Sequence, residues 1–139
     1  MARGFGTYFW NQKLVKLLLD THTLLWAVSS EKKLSSQARK EIMSSENIVF
    51  VSLASLWELK IKESLNKVKL PKNFYKGLQP GGFELLSVTL DHIEYLDKLP
   101  PHHRDPFDRM LVSQAKFEQL LLVTRDEEIQ KYPVDILPA

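Results

Sequence analysis

The sequence predicts an α/β fold, a three-layer α/β/α sandwich whose central sheet is twisted, mostly parallel and built from about five strands. Short apolar runs are typical of buried strands, and segments with helical spacing of apolar residues separate them. The predicted strands are residues 15–19, 48–51, 83–88, 120–123 and 134–137. The 139 residues amount to one ordinary domain, without repeat or linker.

The first predicted helices begin at serines, which favour the N-cap position. Ser35 or Ser36 can cap a helix that runs to about Ser44, and Ser52 can cap the next one. The apolar stripe of that second helix consists of Leu53, Leu56 or Trp57, Ile61 and Leu65.

The later helices carry proline and threonine signals. Pro71 suits the first turn of a short helix that ends near Gly77, and Thr89 begins a helix that stops before Pro100. Asp105-Pro106 opens the clearest helix of the chain. These helices alternate with the apolar runs, so the chain should form βα units.

The composition excludes several classes of site. The chain has no cysteine, which rules out a disulfide framework, a thiolate zinc site and a cysteine nucleophile, and which fits a cytoplasmic protein. No apolar run approaches the roughly 18 residues of a membrane helix, so we expect no membrane association. A net charge of +2 is compatible with binding a polyanion but does not argue for it.

Residues 1–14 lack the periodicity of the segment that follows them. We interpret them as an N-terminal extension, vector-derived or translated from upstream, with the folded domain spanning residues 15–139. The alternative is a native arm that packs on the surface through its aromatic side chains, Phe5, Tyr8, Phe9 and Trp10.

Five acidic residues form a candidate constellation, and most of them follow a predicted strand or open a helix. Asp20 directly follows the first predicted strand and Asp126 follows the fourth, while Asp105 and Asp108 open a helix with i, i+3 spacing. Glu58 lies about two turns into the helix after the second strand. Ligands of open α/β sheets bind beyond the carboxyl ends of the strands, and the predicted topology brings the ends of the first and fourth strands and the start of the helix that Asp105 opens toward one edge.

Each acid taken alone also has a structural explanation. The aspartates can cap the helices that follow them or favour the positive end of the helix dipole, and Glu58 can pair with Lys62. Taken together, several carboxylates at one edge would repel each other unless a cation held them. Carboxylate ligands without thiolates favour Mg²⁺ or Mn²⁺, and such ions indicate phosphodiester chemistry.

Four segments in order carry a resemblance to a known family. They read LLLDTH followed by Leu24-Leu25-Trp26, then SLASLWELKIK, HHRDPFDRMLVSQA and LLVTRDEEI. From about Val15 to the C-terminus the chain resembles the PIN domain, and within it the VapC-type toxins of bacterial and archaeal toxin–antitoxin pairs. The resemblance implies the same α/β/α fold and an endoribonuclease that depends on one or two Mg²⁺ or Mn²⁺ ions.

The resemblance also assigns roles by matched position. Asp105 is implied to lie near the site as a helix cap or outer-shell partner, and Thr124 to orient a carboxylate or a water. The implied metal-binding and catalytic acids are Asp20, Glu58, Asp108 and Asp126.

The hypothesis for the reaction is attack of an activated water on the phosphodiester, without a side-chain nucleophile. The resemblance implies products with a 5′-phosphate and a 3′-hydroxyl. His102 and His103 are interpreted as surface residues of a proline-rich loop rather than as general acid and base.

Candidate contacts to RNA phosphate are the arginines Arg104 and Arg109, with Lys60 or Lys62 as further possibilities on a helix face that is otherwise solvated. No short motif can identify the RNA target, because RNA is often recognised by shape and by unpaired bases.

The resemblance implies protein partners as well. They are a VapB-like antitoxin, whose C-terminal segment wraps the toxin and blocks its acidic site, and a second copy in a homodimer. Trp26, Trp57 and Phe107 are interpreted as core residues, with the alternative that Trp26 or Trp57 lies in a groove that receives a partner.

The chain departs from the subgroup after Glu58, where a Gly-Lys pair is usual and Asn66-Lys67 stands instead. Asn66 can adopt the left-handed conformation that glycine would supply. We therefore interpret this as a tolerated substitution, which bears on the geometry of the loop and not on the chemistry.

Two rival functions stay open. The first is a non-catalytic PIN-like module that binds RNA or protein, although degenerate modules lose acids and this chain keeps all of them. The second is another phosphate enzyme or signalling domain on a similar sheet, but the chain lacks a Walker-type loop. Asp20-Thr21-His22 also fails to supply the Asp-x-Asp of dehalogenase-type phosphatases.

Overall fold

The computed structural model describes residues 14–139. The interpretation of residues 1–14 as an extension, and the alternative of an arm that packs through Phe5, Tyr8, Phe9 and Trp10, therefore lie outside the described residues, Leu14 excepted. Within the described range, no helix has the length and apolar character needed to cross a membrane.

The described chain alternates strands and helices. The strands are β1 (Lys16–Leu19), β2 (Ile48–Ser52), β3 (Phe83–Leu86), β4 (Leu121–Thr124) and β5 (Ile136–Pro138). The α-helices are α1 (Thr21–Ser29), α2 (Ser36–Met43), α3 (Leu53–Ser64), α4 (Phe74–Gly77), α5 (Leu90–Tyr95) and α6 (Pro106–Glu118). Short 3-10 turns at Glu31–Lys33, Leu96–Lys98 and Ile129–Lys131 complete the path.

All five strands are parallel and stand in the order β3-β2-β1-β4-β5, which confirms the predicted fold class. β1 is central, and its Leu19 pairs with Val51 of β2 on one side and with Val123 of β4 on the other. The chain first builds the sheet from β1 toward β3 and then crosses back to β4. The strand order thus reverses between β1 and β4, where open α/β sheets place their ligands.

Both faces of the sheet are covered. Leu17 and Leu19 pack with side chains of α1 to α4, whereas Leu18 packs with Leu111 and Val112 of α6 on the other face. Successive residues of a strand point to opposite faces, so three buried leucines in a row require a helical layer on each side. This explains why the strands are continuous apolar runs.

Several predicted boundaries shift at the ends of elements. β3 ends at Leu86 rather than residue 88, and β5 begins at Ile136 rather than residue 134. The short helix α4 begins at Phe74 and not at Pro71, because Asn73 adopts a left-handed conformation with φ of 60°. Asn66 is left-handed as predicted, with φ of 57°.

The interpretation of Trp57 as a core residue is wrong. Trp57 is 65% exposed, and the predicted apolar stripe of α3 faces outward along most of its length. The helix instead buries the side that carries Ala54, Ser55, Glu58 and Leu59. A polar side holding an acid therefore packs inward, while Trp26 and Phe107 are half-buried.

Candidate active site

Asp20 lies where β1 ends and α1 begins, and it is 6% exposed. One carboxylate oxygen, Oδ1, accepts the backbone N–H of Thr23 at 2.8 Å, which caps α1. The other, Oδ2, accepts the hydroxyl of Thr124 at 2.5 Å. The structural explanation for Asp20 is thus correct as well, but a carboxylate oxygen has more than one lone pair and can bind further groups.

Thr124 connects the acids that follow β1 and β4. Its buried hydroxyl donates to Asp20 and accepts the backbone N–H of Asp126 at 3.0 Å. Asp126 in turn accepts the N–H groups of Glu128 and Ile129 through Oδ1, at 2.7 and 3.3 Å. These bonds fix the Asp126 carboxylate and leave Oδ2 facing the rest of the site.

Glu58 reaches the site from the buried side of α3 and is 7% exposed. Its Oε1 accepts the hydroxyl of Thr21 at 2.6 Å, and its Oε2 lies 3.0 Å from Nζ of Lys62. The pairing with Lys62 was the structural alternative for Glu58, and it is present. Thr21 was not singled out from the sequence, although its place directly after Asp20 indicates a side chain at the same sheet edge.

Asp105 and Asp108 stand at the start of α6. Oδ1 of Asp105 accepts the backbone N–H groups of Phe107 and Asp108, at 2.8 and 3.1 Å, so Asp105 is the N-cap of the helix. Asp108 lies one turn into the helix and is half-buried. Asp105 therefore binds the backbone at the helix start, whereas the carboxylate of Asp108 is available to the site.

The pKa of Asp108 is raised from 3.8 to about 7, and burial is the largest cause. The next cause is the charge of Asp105, followed by that of Glu58, and Asp126 adds a smaller contribution in the same direction. The ring of His103 acts the opposite way and lowers this pKa. The rise shows that negative charge at Asp108 is costly among its neighbours.

His103 belongs to this cluster, and its interpretation as a surface residue was wrong. Its Nε2 lies 2.9 Å from Oδ2 of Asp108 and 3.8 Å from Oδ2 of Asp126. Its backbone N–H donates to the hydroxyl of Tyr132 at 2.9 Å, which holds the loop against the domain. The sequence signal for His103 was its position two residues before Asp105. The direction of its ring could not be predicted, because it depends on the conformation of the loop that precedes α6.

The arrangement fits a divalent cation. One ligand atom from each of His103, Asp108 and Asp126 lies within 4.8 Å of the others. Asp20 is joined to Asp126 through Thr124, and Glu58 is close enough to raise the pKa of Asp108. Several carboxylate oxygens at one sheet edge form the donor set that Mg²⁺ and Mn²⁺ prefer.

The two arginines predicted to contact RNA differ in their surroundings. Arg104 is exposed beside the cluster. The guanidinium of Arg109 instead donates to the carbonyls of Pro100 and Leu96 and to the hydroxyl of Tyr132, at 3.0 to 3.3 Å. It therefore holds the loop that leads to α6.

Lys60 also lies apart from the acids. It pairs with Glu63 at 3.6 Å and sits 5.1 Å from the ring centre of Tyr75. Two residues along a helix correspond to about 200° of rotation, so Lys60 lies on the opposite side of α3 from Glu58. Lys62 is the lysine that the structure brings to the site.

A sequence model of the PIN domain matches residues 17–135. The chain belongs to the PIN domain family. The four acids implied by the resemblance lie at the sheet edge of this PIN domain, and their roles as metal ligands and catalytic residues remain predictions. No curated protein matches the chain at the sequence level.

Solved structures similar to this PIN domain share its fold over most of their length. One is VapBC2 from Rickettsia felis bound to a promoter DNA fragment, with TM-score 0.68, 19% identity and coverage of 88% of this chain and 98% of that one. DNA-bound VapBC from Salmonella typhimurium gives TM-score 0.64 and 18% identity, with 89% of this chain and 98% of that one covered. A toxin–antitoxin complex from Klebsiella pneumoniae gives TM-score 0.57 and 16% identity, with 88% of this chain and 96% of that one covered.

Proposed function

We propose that this PIN domain is a Mg²⁺- or Mn²⁺-dependent endoribonuclease of the VapC type, the toxin of a toxin–antitoxin pair that acts on RNA in the cytoplasm of a bacterium or archaeon. The observation that carries the proposal is the convergence of acids that follow β1 and β4 with acids of α3 and α6, at the point where the strand order reverses. The acids are Asp20, Glu58, Asp108 and Asp126. A non-catalytic module has no need to gather so much negative charge.

The four acids would hold one or two divalent ions. A bound Mg²⁺ or Mn²⁺ lowers the pKa of water and offsets charge on the phosphate of the substrate. Oδ2 of Asp126 is free of backbone bonds within the described residues, and Asp108 Oδ2 faces the same space. These oxygens are the best placed to bind a cation.

Residues around the acids would set their orientation and charge. Thr124 donates to the carboxylate of Asp20 and accepts the backbone N–H of Asp126, and Thr21 donates to the carboxylate of Glu58. Partners of this kind commonly change metal affinity or activity by about 10–100-fold when they are removed. The exposed guanidinium of Arg104 is the basic group best suited to a phosphate of the RNA.

The proposed docking surface for the antitoxin lies next to the acids. Leu53, Trp57, Val88, Ile93 and Phe107 line an apolar groove. Trp57 and Ile93 are 65% and 49% exposed. The rings of Trp57 and Phe107 meet edge-on, with 5.2 Å between their centres. Exposed apolar patches of this kind mark interaction sites.

The groove and the acidic cluster are adjacent, because Phe107 lines the groove and the next residue, Asp108, belongs to the cluster. An antitoxin segment with apolar side chains followed by a basic one would match both surfaces. The complexes named VapBC and toxin–antitoxin among the similar structures support this partner. A homodimer, which the resemblance also implies, would be an alternative occupant of the groove.

The test is an RNA cleavage assay on antitoxin-free protein, with total RNA and a tRNA panel in Mg²⁺ or Mn²⁺. EDTA and an Asp20→Asn variant serve as controls. Cleavage that requires metal and disappears in the variant supports the proposal. Cleavage that survives in the variant identifies a contaminating nuclease, and RNA binding without cleavage by folded, metal-binding protein supports the non-catalytic module.

A further inference from the structure

Three side chains form a stack beside the acidic cluster. The rings of His22 and Trp26 are stacked, with 6.1 Å between their centres and 20° between their planes. The guanidinium carbon of Arg125 lies over the Trp26 ring, 4.5 Å from its centre. None of the three lines the apolar groove. The stack is therefore a separate surface feature that joins a cation to two aromatic rings.

The chain places both ends of the stack next to the acids. His22 comes two residues after Asp20, and Arg125 stands directly before Asp126. Two residues span at most about 7 Å of chain, so each end lies close to a carboxylate of the proposed metal site. A strand of RNA whose phosphate is bound at the acids can thus bring a neighbouring nucleotide to the stack.

Arg125 is fixed through part of its guanidinium. Nη2 donates to the backbone carbonyls of Lys33 and Ala139, at 2.6 and 2.8 Å, and Nε donates to that of Ala139 at 3.1 Å. Among the described residues, Nη1 makes no hydrogen bond, and Arg125 is exposed. The bonds to the two carbonyls explain how Arg125 holds the backbone together, but they leave the N–H groups of Nη1 for an outside acceptor.

His22 presents an aromatic ring to solvent. It is exposed, whereas Trp26, four residues later in α1, is half-buried. Residues at this spacing are neighbours on one side of a helix, so Trp26 supports the imidazole ring. Packing in the core accounts for Trp26 but not for an exposed ring held on it. A ring supported in this way is preorganised to stack with another planar group, because little conformational freedom is lost on binding.

We propose that this stack is a subsite for one unpaired nucleotide of the RNA. The base stacks on the exposed ring of His22, and Nη1 of Arg125 binds a phosphate of the same strand. Unpaired bases commonly stack on aromatic side chains, and arginines bind the backbone beside them. The inference rests on the proposed function, because it requires an RNA strand at the acids. It adds a substrate class, since only single-stranded segments and loops offer an unpaired base.

The experiment measures binding of the full chain to a short fluorescent single-stranded RNA by anisotropy, in EDTA so that the strand stays uncut. A second strand of equal length carries abasic ribose in place of the nucleosides. His22→Ala should weaken binding of the intact strand by about tenfold, the usual effect of losing one stacked base. The same variant should leave binding of the abasic strand unchanged. His22→Tyr keeps an aromatic ring and should stay close to the wild type.

Arg125→Gln tests the phosphate contact. This variant should weaken binding of both strands, because both carry phosphates. Lys60→Gln is the matched control, since it removes the same charge from another cation–aromatic pair, 5.1 Å from the ring centre of Tyr75. Lys60 lies on the opposite side of α3 from Glu58, so its loss should weaken binding less. Thermal unfolding identifies any variant that is not folded, and the His22 variants decide the base contact without Arg125→Gln.

The outcomes separate this inference from the proposed function. A loss in His22→Ala that is confined to the intact strand, and that is restored in His22→Tyr, supports the subsite. Unchanged binding in His22→Ala, or equal losses for the intact and abasic strands, overturns it. Wild-type protein that binds RNA in this assay and fails to cleave it with metal contradicts the proposed activity alone. No binding of either strand by the wild type would overturn both.

Discussion

The hydroxyl of Thr124 donates a hydrogen bond to the carboxylate of Asp20, 104 positions away in the chain. The same oxygen accepts the backbone N–H of Asp126. One buried side chain on β4 therefore sets the positions of the acids that follow β1 and β4. This arrangement depends on the parallel pairing of the two strands, in which Leu19 lies beside Val123.

Thr124→Val should separate these acids without unfolding the domain. Valine has nearly the same shape but cannot donate or accept a hydrogen bond, so Asp20 loses its donor. We expect RNA cleavage and Mn²⁺ affinity to fall by about 10–100-fold, the usual effect of removing an orienting partner. Thr124→Ser keeps the hydroxyl and should stay close to the wild type, and equal losses in the two variants would contradict the orienting role.

Asp105 acts in two ways that different substitutions separate. Asp105→Ala removes the N-cap of α6 and should cost about 1 kcal/mol of unfolding free energy. Asp105→Asn keeps an acceptor for the backbone N–H groups but removes a charge that raises the pKa of Asp108. Its stability in urea denaturation should therefore stay near the wild type, while the pH midpoint of Mn²⁺ binding moves lower. A midpoint that does not move would contradict the electrostatic coupling.

The raised pKa of Asp108 predicts how metal binding depends on pH. Because the carboxyl titrates at about 7, protons compete with the cation below that value. Mn²⁺ affinity should rise with pH between about 5 and 7 and level off above about 8. Isothermal titration at several pH values measures this, and Asp108→Asn should bind weakly and lose that part of the dependence.

The same shift has a consequence for stability without added metal. The pKa of Asp108 is higher in the folded protein than its ordinary value, so the folded state binds the proton more tightly than the unfolded state. The stabilising contribution is complete below about pH 4 and is lost as the pH rises toward about 7. Asp108→Asn should remove this loss, and a wild type whose metal-free stability follows that of the variant across this range would contradict the assignment.

Trp57 and Leu59 provide a matched test of which side of α3 is buried. Leu59 is 1% exposed and Trp57 is 65% exposed. Leu59→Ala should cost about 2–5 kcal/mol of unfolding free energy. Trp57→Ala should cost less than about 1.5 kcal/mol, most of it from the contact with Phe107. Similar losses in urea denaturation would mean that the outward side of α3 is part of the core.

Most of the fold could be predicted from the sequence because its strands are buried on both faces. Runs such as Leu17-Leu18-Leu19 fit a sheet with helices on each side, and the acids after the runs follow from the geometry of parallel strands. The capping role of Asp105 was also predictable, since an aspartate before proline at a helix start has few other uses. These features depend on local pattern alone.

Other features depend on contacts that a local pattern does not contain. The sequence of α3 shows an apolar stripe, but the helix turns most of it outward and buries the side that carries Glu58. Thr21 and Lys62 provide the partners of the Glu58 carboxylate there. Similarly, His103 lies in the loop before α6 and Arg109 in the first turn of that helix. Of these two side chains, His103 contacts the acids and Arg109 does not. The carbonyls of Pro100 and Leu96, which hold Arg109, come together only after the loop has folded.

The chemical ends of the RNA fragments test the proposed hydrolysis most directly. Adapter ligation to the products, without prior kinase treatment, detects 5′-phosphates, and an Asp20→Asn reaction supplies the background. Water activated at the acidic cluster predicts new 5′-phosphate and 3′-hydroxyl ends that are absent from the variant. New 5′-hydroxyl ends paired with 2′,3′-cyclic phosphates would contradict it, because the attacking oxygen would then be the 2′-hydroxyl of the RNA itself.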